Sequence, residues 1–134
     1  MNYWLVKSDP ETYGWKELLK DKKTDWTGVR NYSARIHLKG MKLGDDVLFY
    51  HSNEGKSVVG ITKVSKEFFQ DPTTEDVAWV AVELTVKKEL NNPVTLLAMK
   101  RKKELLNIGL IKIGRLSVMP LTKSEFDLIV ELGS

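Results

Sequence analysis

The chain has no cysteine and only two histidines, His37 and His51. Disulfides, thiolate metal centres and a cysteine nucleophile are excluded, and a histidine-rich metal site is disfavoured. No apolar run approaches the roughly 20 residues needed to span a bilayer. There is no glycine-rich phosphate loop of either common type, no HExxH pair and no GxSxG elbow. The first residues, Met1 to Lys7, lack the apolar core of a signal peptide, so a cytoplasmic location is expected. Neither sign of charge dominates: 21 basic and 18 acidic residues leave a net charge of +3. That leans only weakly towards an anionic partner.

What is present suits one soluble domain. The 134 residues are 42% hydrophobic and 29% charged, enough for a sizeable core. No repeat, low-complexity tract or linker divides them, so the whole of 1–134 reads as a single domain. Tyr3 to Val6 reads as a strand, broken by turn chemistry from Lys7 to Thr12. Trp15 to Lys20 reads as a short helix with Trp15, Leu18 and Leu19 on one face, and Asp21 to Asp25 as a charged surface loop. Asn31 to Lys39 fits a second helix, with Gly40 just past its end. Val47 to His51 is a strongly apolar strand. It is followed by a hairpin turn over Asn53 to Lys56 and a return through Val58 to Val64.

Gln70 to Asp76 is a polar loop. In Trp79 to Lys87, Val80, Val82, Leu84 and Val86 alternate with polar neighbours, the period of two of a half-buried strand. Thr95 onwards reads as a helix carrying Lys100 to Lys103, which helix geometry spreads around the axis; a solvated face is the plain reading and a phosphate-contacting patch the alternative. Arg115 to Met119 fits a last strand stopped by Pro120. Thr122 to Glu125 is a capping box, with Leu121 stapling to Phe126. Strands in the middle with short helices around them make an α+β fold, most simply a curved antiparallel sheet or small half-open β-barrel.

One segment carries more chemistry than packing requires. Trp26 to Arg35 holds two aromatics, two arginines and an asparagine around Gly28. Trp and Tyr offer flat faces to a planar ligand, Asn suits a base edge, and Arg binds phosphate or stacks. The plain alternative is a buried Trp anchoring a loop with its arginines in solvent. Trp4 and Trp15 read as core, whereas Trp26 and Trp79 adjoin polar loops. Asp45-Asp46 reads as a solvated turn, not a metal site. The adjacent His51 and Ser52 form no dyad, because alternate residues of a strand face opposite ways.

Several motifs together resemble the EVE domain family. Tyr3-Trp4-Leu5-Val6-Lys7-Ser8-Asp9-Pro10 resembles the opening YWLxKSEP, and Trp26 to Arg35 resembles WxGVRNYxAR. Met41-Lys42-Leu43-Gly44-Asp45 with Phe49-Tyr50-His51-Ser52 is similar to MKxGD…FYHS. Gly60-Ile61, Asp71-Pro72 and Arg115 to Pro120 follow in order, so nearly the whole chain is covered. The resemblance implies a PUA-like fold, kinship with YTH and ASCH domains, and the reading of modified bases, modified cytosines in DNA among them. Asp9 replaces the usual Glu, Ile36 stands where many members have Asn, and the loop from Phe69 to Ala78 is shorter than in many relatives.

Carried over position by position, Trp26 takes the place of a cage Trp. Lys7 and Ser8 lie on the rim of the same pocket, and Asn31 and Tyr32 face the ligand edge, with Arg30 beside them. His51 and Ser52 end the strand leading to the mouth, and Trp79 is a further wall. Arg115 and Ser117 contact phosphate or hold the pocket floor. The expected function is a non-catalytic, cofactor-free and metal-free nucleic-acid-binding module. It takes a modified or flipped-out base between aromatic side chains, in DNA or RNA, with no membrane partner. An enzyme acting on RNA or nucleotides, with His51 or Asp71 as its ionisable group, is the alternative from another class. A protein-interaction scaffold is a third.

Overall fold

The computed structural model describes residues 1–53 and 55–134. Six strands form one sheet in the order β2-β5-β4-β3-β1-β6. They are β1 (Tyr3–Ser8), β2 (Lys23–Asp25), β3 (Asp46–His51), β4 (Ser57–Gln70), β5 (Val80–Thr95) and β6 (Val118–Leu121). Five short helices surround it: α1 (Trp15–Asp21), α2 (Tyr32–Gly40), α3 (Leu96–Lys100), α4 (Gly109–Lys112) and α5 (Lys123–Leu132). The expected α+β class and open, PUA-like sheet are present, with one correction. The sheet is mixed: β1 runs parallel to β3, from Tyr3 opposite Asp46 to Ser8 opposite His51. A parallel pair needs a crossover, and the segment carrying α1, β2 and α2 supplies it. The sheet therefore carries its Trp26 segment beside the C-terminal ends of β1 and β3.

Curvature comes from the two long strands. The register between β4 and β5 shifts at four places, and β3 against β4 shifts between Phe49 and Tyr50. Each shift bends and twists the ladder locally. At Gly60, in the bent region, an added Cβ would lie 2.2 Å from two ring carbons of Trp15. The missing side chain lets α1 lie against the sheet, with Trp15 edge-on to Phe49 at 5.4 Å. Leu5, Leu18, Leu38, Leu48, Phe49, Leu84 and Ile129 are fully buried in the same core.

Other expectations are corrected. Asp21 to Asp25 is not wholly a loop, since Lys23 to Asp25 pair with Thr85 to Glu83 of β5. Leu19 is exposed, unlike Trp15 and Leu18. Gly40 is the last residue of α2, and Met41 is its cap. Pro120 does not stop β6 but lies within it, opposite Trp4. β6 is an edge strand, where a residue without an N–H is tolerated. The helix carrying the basic run ends at Lys100. The next amides bond three residues back, Arg101 to Ala98 and Lys102 to Met99, and a 3-10 turn follows at Lys103–Leu105. Asp45 and Asp46 are buried, not solvated. Asp45 accepts from Trp4 Nε1 at 3.0 Å and from the amides of Asn2 and Lys42, and Asp46 accepts from Lys87 Nζ at 2.7 Å. The turn expected over Asn53 to Lys56 includes Glu54, which lies outside the described residues. The capping box at Thr122 and Glu125 forms as read.

Candidate functional site

A cavity of about 440 Å³ opens where β1 ends against the Trp26 segment. That volume falls in the range of small-molecule sites, roughly 300–1,000 Å³. Trp26 forms part of its wall and is also part of the core, only 8% exposed and edge-on to Phe49 at 5.6 Å. The backbone amide of Trp26 donates to the Val82 carbonyl at 2.7 Å, which ties the wall to β5. Tyr13 supplies the second aromatic. Its hydroxyl donates to Asp21 at 2.8 Å, and burial pushes its pKa up, so it stays neutral.

Four of the expected residues meet at this cavity: Lys7, Ser8, Trp26 and Ser117. The Ser8 hydroxyl donates to the Tyr13 carbonyl. The Ser117 carbonyl accepts from the Lys7 amide at 2.9 Å, so β1 and the chain before β6 close the floor together. Lys7 Nζ donates to the Gly114 carbonyl at 2.9 Å, and burial pushes its pKa down. Asp9, Thr24, Asp25 and Gly28 also line the cavity. Thr24 and Asp25 escaped the sequence reading because they look like a charged loop. Their direct adjacency to Trp26 was the available signal.

The other expected residues sit elsewhere. Asn31 caps α2, its Oδ1 accepting from the Ala34 amide at 2.9 Å. Tyr32 packs against Trp79 with centroids 5.3 Å apart and the rings tilted by 35°, and the Arg35 guanidinium lies 5.0 Å from the Tyr32 ring and 5.4 Å from that of Trp79. Arg30 covers Trp79 at 5.6 Å and pairs with Asp71 at 2.9 Å. These side chains form their own cluster, outside the cavity lining. His51 accepts from the Trp15 amide, and Ser52 lines a neighbouring hollow. Arg115 is exposed and lines neither.

Asp71 joins the cluster to the cavity. Its fully buried carboxylate accepts from the Gly28 amide at 2.8 Å, from Arg30 Nη1, and from the Thr73 amide and hydroxyl. Burial pushes its pKa up, but these hydrogen bonds outweigh that and hold it well below the usual carboxylate range. Asp71 is thus an anion at neutral pH. It fixes the Gly28 turn, whose φ of +80° favours glycine. Among the described residues no cluster of His, Asp or Glu is arranged to hold a metal ion.

Known proteins resemble this chain along nearly its whole length. Mouse thymocyte nuclear protein 1 is 33% identical over 165 aligned positions, spanning 98% of this chain and 73% of that protein. A Rhodopseudomonas palustris protein solved by NMR superposes with a TM-score of 0.94 at 41% identity, over 99% of this chain and 93% of that one. Human thymocyte nuclear protein 1, solved in complex with DNA containing 5-methylcytosine, superposes with a TM-score of 0.90 at 30% identity, over 100% of this chain and 98% of that one. A YTH domain from Zygosaccharomyces rouxii, at 12% identity and a TM-score of 0.64, shares the fold alone. A family model of the EVE domain matches residues 2–132. The chain belongs to the EVE domain family.

Proposed function

We propose that this protein is a non-catalytic module that holds a modified base of a nucleic acid in the Trp26 cavity. The observation that carries the reading is the position of Trp26, held by core packing on one side and forming cavity wall on the other. A preorganised ring stacks on a base without first being ordered, and each such stack contributes roughly 1–3 kcal/mol. Asp25, Thr24 and Ser8 offer polar groups to the base edge. The human relative in complex with 5-methylcytosine DNA supports a cytosine-type ligand. Extruding a base from a duplex costs a few kcal/mol, least where the base is modified, mismatched or unpaired.

Binding to short oligonucleotides, alike except for one cytosine or 5-methylcytosine, tests the reading. Tighter binding of the methylated strand is expected. Trp26→Leu keeps apolar bulk against Phe49 but removes the ring, so it should weaken both complexes and erase the difference. Strands bound alike by the native protein, and no loss with Trp26→Leu, would overturn the reading.

A further inference from the structure

Lys7 stands on the wall between two hollows. One is the Trp26 cavity. The other, about 320 Å³, has Lys7, Lys56 and Lys100 in its lining, with Tyr50 and Ser52 adding hydroxyls. A third hollow of about 270 Å³ shares Lys56, Leu96 and Lys100 with the second. The three spaces therefore form a chain, with lysine at each junction.

The charge changes sign across Lys7. The Trp26 cavity has two carboxylates, Asp9 and Asp25, in its lining. Among the described residues the second hollow has three lysines and no Asp or Glu in its lining. Among the described residues none of these lysines forms an ion pair with a carboxylate. Phosphate is repelled from the first space and attracted to the second. Burial already disfavours the charged form of Lys7, and an anion beside it would relieve that penalty. Burial likewise keeps the Tyr50 phenol protonated and able to donate.

We infer that the lysine-lined hollow is a phosphate site for the nucleotide whose base occupies the Trp26 cavity, with the strand continuing past Lys56 and Lys100. The inference rests on the base-binding reading above. The geometry divides the nucleotide: an amino-bearing base on the acidic, aromatic side of Lys7, its phosphate on the cationic side. Lysine serves such a site as a point charge, without the bidentate geometry of arginine, and suits a backbone followed independently of sequence. This places phosphate recognition in a recessed hollow. The more conspicuous Arg101 to Lys103 run lines none of the three spaces.

The test measures binding of single-stranded DNA, with one 5-methylcytosine or with cytosine in its place, across a salt series. The exposed pair Lys56→Gln with Lys100→Gln is expected to weaken both strands equally, by about tenfold near physiological salt. The log–log salt slope should shrink by about 1.4, for two phosphate contacts at about 0.7 each. Lys63→Gln with Lys88→Gln removes the same charge from β4 and β5 and should change the slope far less. An unchanged slope in the first pair, or an equal loss in the second, overturns the phosphate site while leaving the base reading intact. Failure of the base reading looks different: Trp26→Leu then leaves affinity unchanged whatever the lysines do, and the divided nucleotide falls with it.

Discussion

The backbone amide of Trp15 donates to Nε2 of His51 across 3.0 Å. The bond makes Nε2 an acceptor and puts the proton of the neutral ring on Nδ1. Burial pushes the His51 pKa down, and Glu17 offsets this only in part. A charged ring would carry a proton on Nε2 and leave the Trp15 amide without a partner. The nitrogen that a general base would use is thus already engaged in holding the start of α1.

A pH dependence follows. The folded pKa of His51 lies below its unfolded value near 6.5. Between the two, the unfolded chain binds more protons, so stability is full above about pH 6.5 and declines as the pH falls below it. His37, also pushed down by burial, acts in the same direction. Urea midpoints should therefore drop between pH 7.5 and pH 5. His51→Gln cannot titrate and should show a shallower drop. An identical drop in that variant would assign the effect elsewhere.

Asp71→Asn should be among the most damaging polar substitutions. The carboxylate accepts from Gly28, Arg30 and Thr73 while fully buried. Breaking a buried pair costs about 3–5 kcal/mol, and the lower end applies because Arg30 reaches solvent. Denaturant unfolding reads the loss. Arg30→Gln should cost less, since Gly28 and Thr73 still hold the carboxylate. Equal costs would mean the Gly28 turn does not depend on Asp71.

Gly60→Ala tests how α1 is seated. The added methyl would fall on the Trp15 ring. Overpacking of this kind costs about 1–3 kcal/mol. A smaller ring in the second position, Trp15→Phe, should recover part of the loss in the double variant. A neutral Gly60→Ala would show that the ring moves aside freely.

Much of this was legible in the chain. The period of two in Trp79 to Lys87 and the capping box at Thr122 are local signals, and local geometry satisfied them. β2 was not legible, because three polar residues become a strand only through pairing with β5. The parallel β1–β3 pair joins residues about 43 positions apart, which no short-range pattern reports. Asp45 and Asp46 read as solvated because their partners, Trp4 Nε1 and Lys87, are distant in sequence. At the site, Trp26 was conspicuous by type. The aromatic facing the same cavity is Tyr13, whereas Trp79 packs against Tyr32. Only the fold could decide which ring joins which.

Base choice follows from the acceptors in the Trp26 cavity, of which two are carboxylates. Asp9 is engaged, accepting from the Glu11 amide at 2.9 Å and from Asn53 Nδ2 at 2.8 Å. Asp25 has no such partner among the described residues and is the acceptor left for a ligand. A carboxylate accepts from the exocyclic amino group of cytosine, and a good base-edge pairing discriminates by about 1–3 kcal/mol. Thymine carries the same methyl group as 5-methylcytosine but presents a carbonyl oxygen where cytosine has the amino group. Strands differing only in that base isolate the contact. The native protein should prefer 5-methylcytosine over thymine by roughly tenfold or more, the lower half of that energy range. Asp25→Asn offers a donor as well as an acceptor through its amide and should bring the ratio towards one, while Asp25→Glu keeps the sign of the preference. If Asp25→Asn left the preference whole, the amino group would be read by another group in the cavity, and the role given to Asp25 would be wrong.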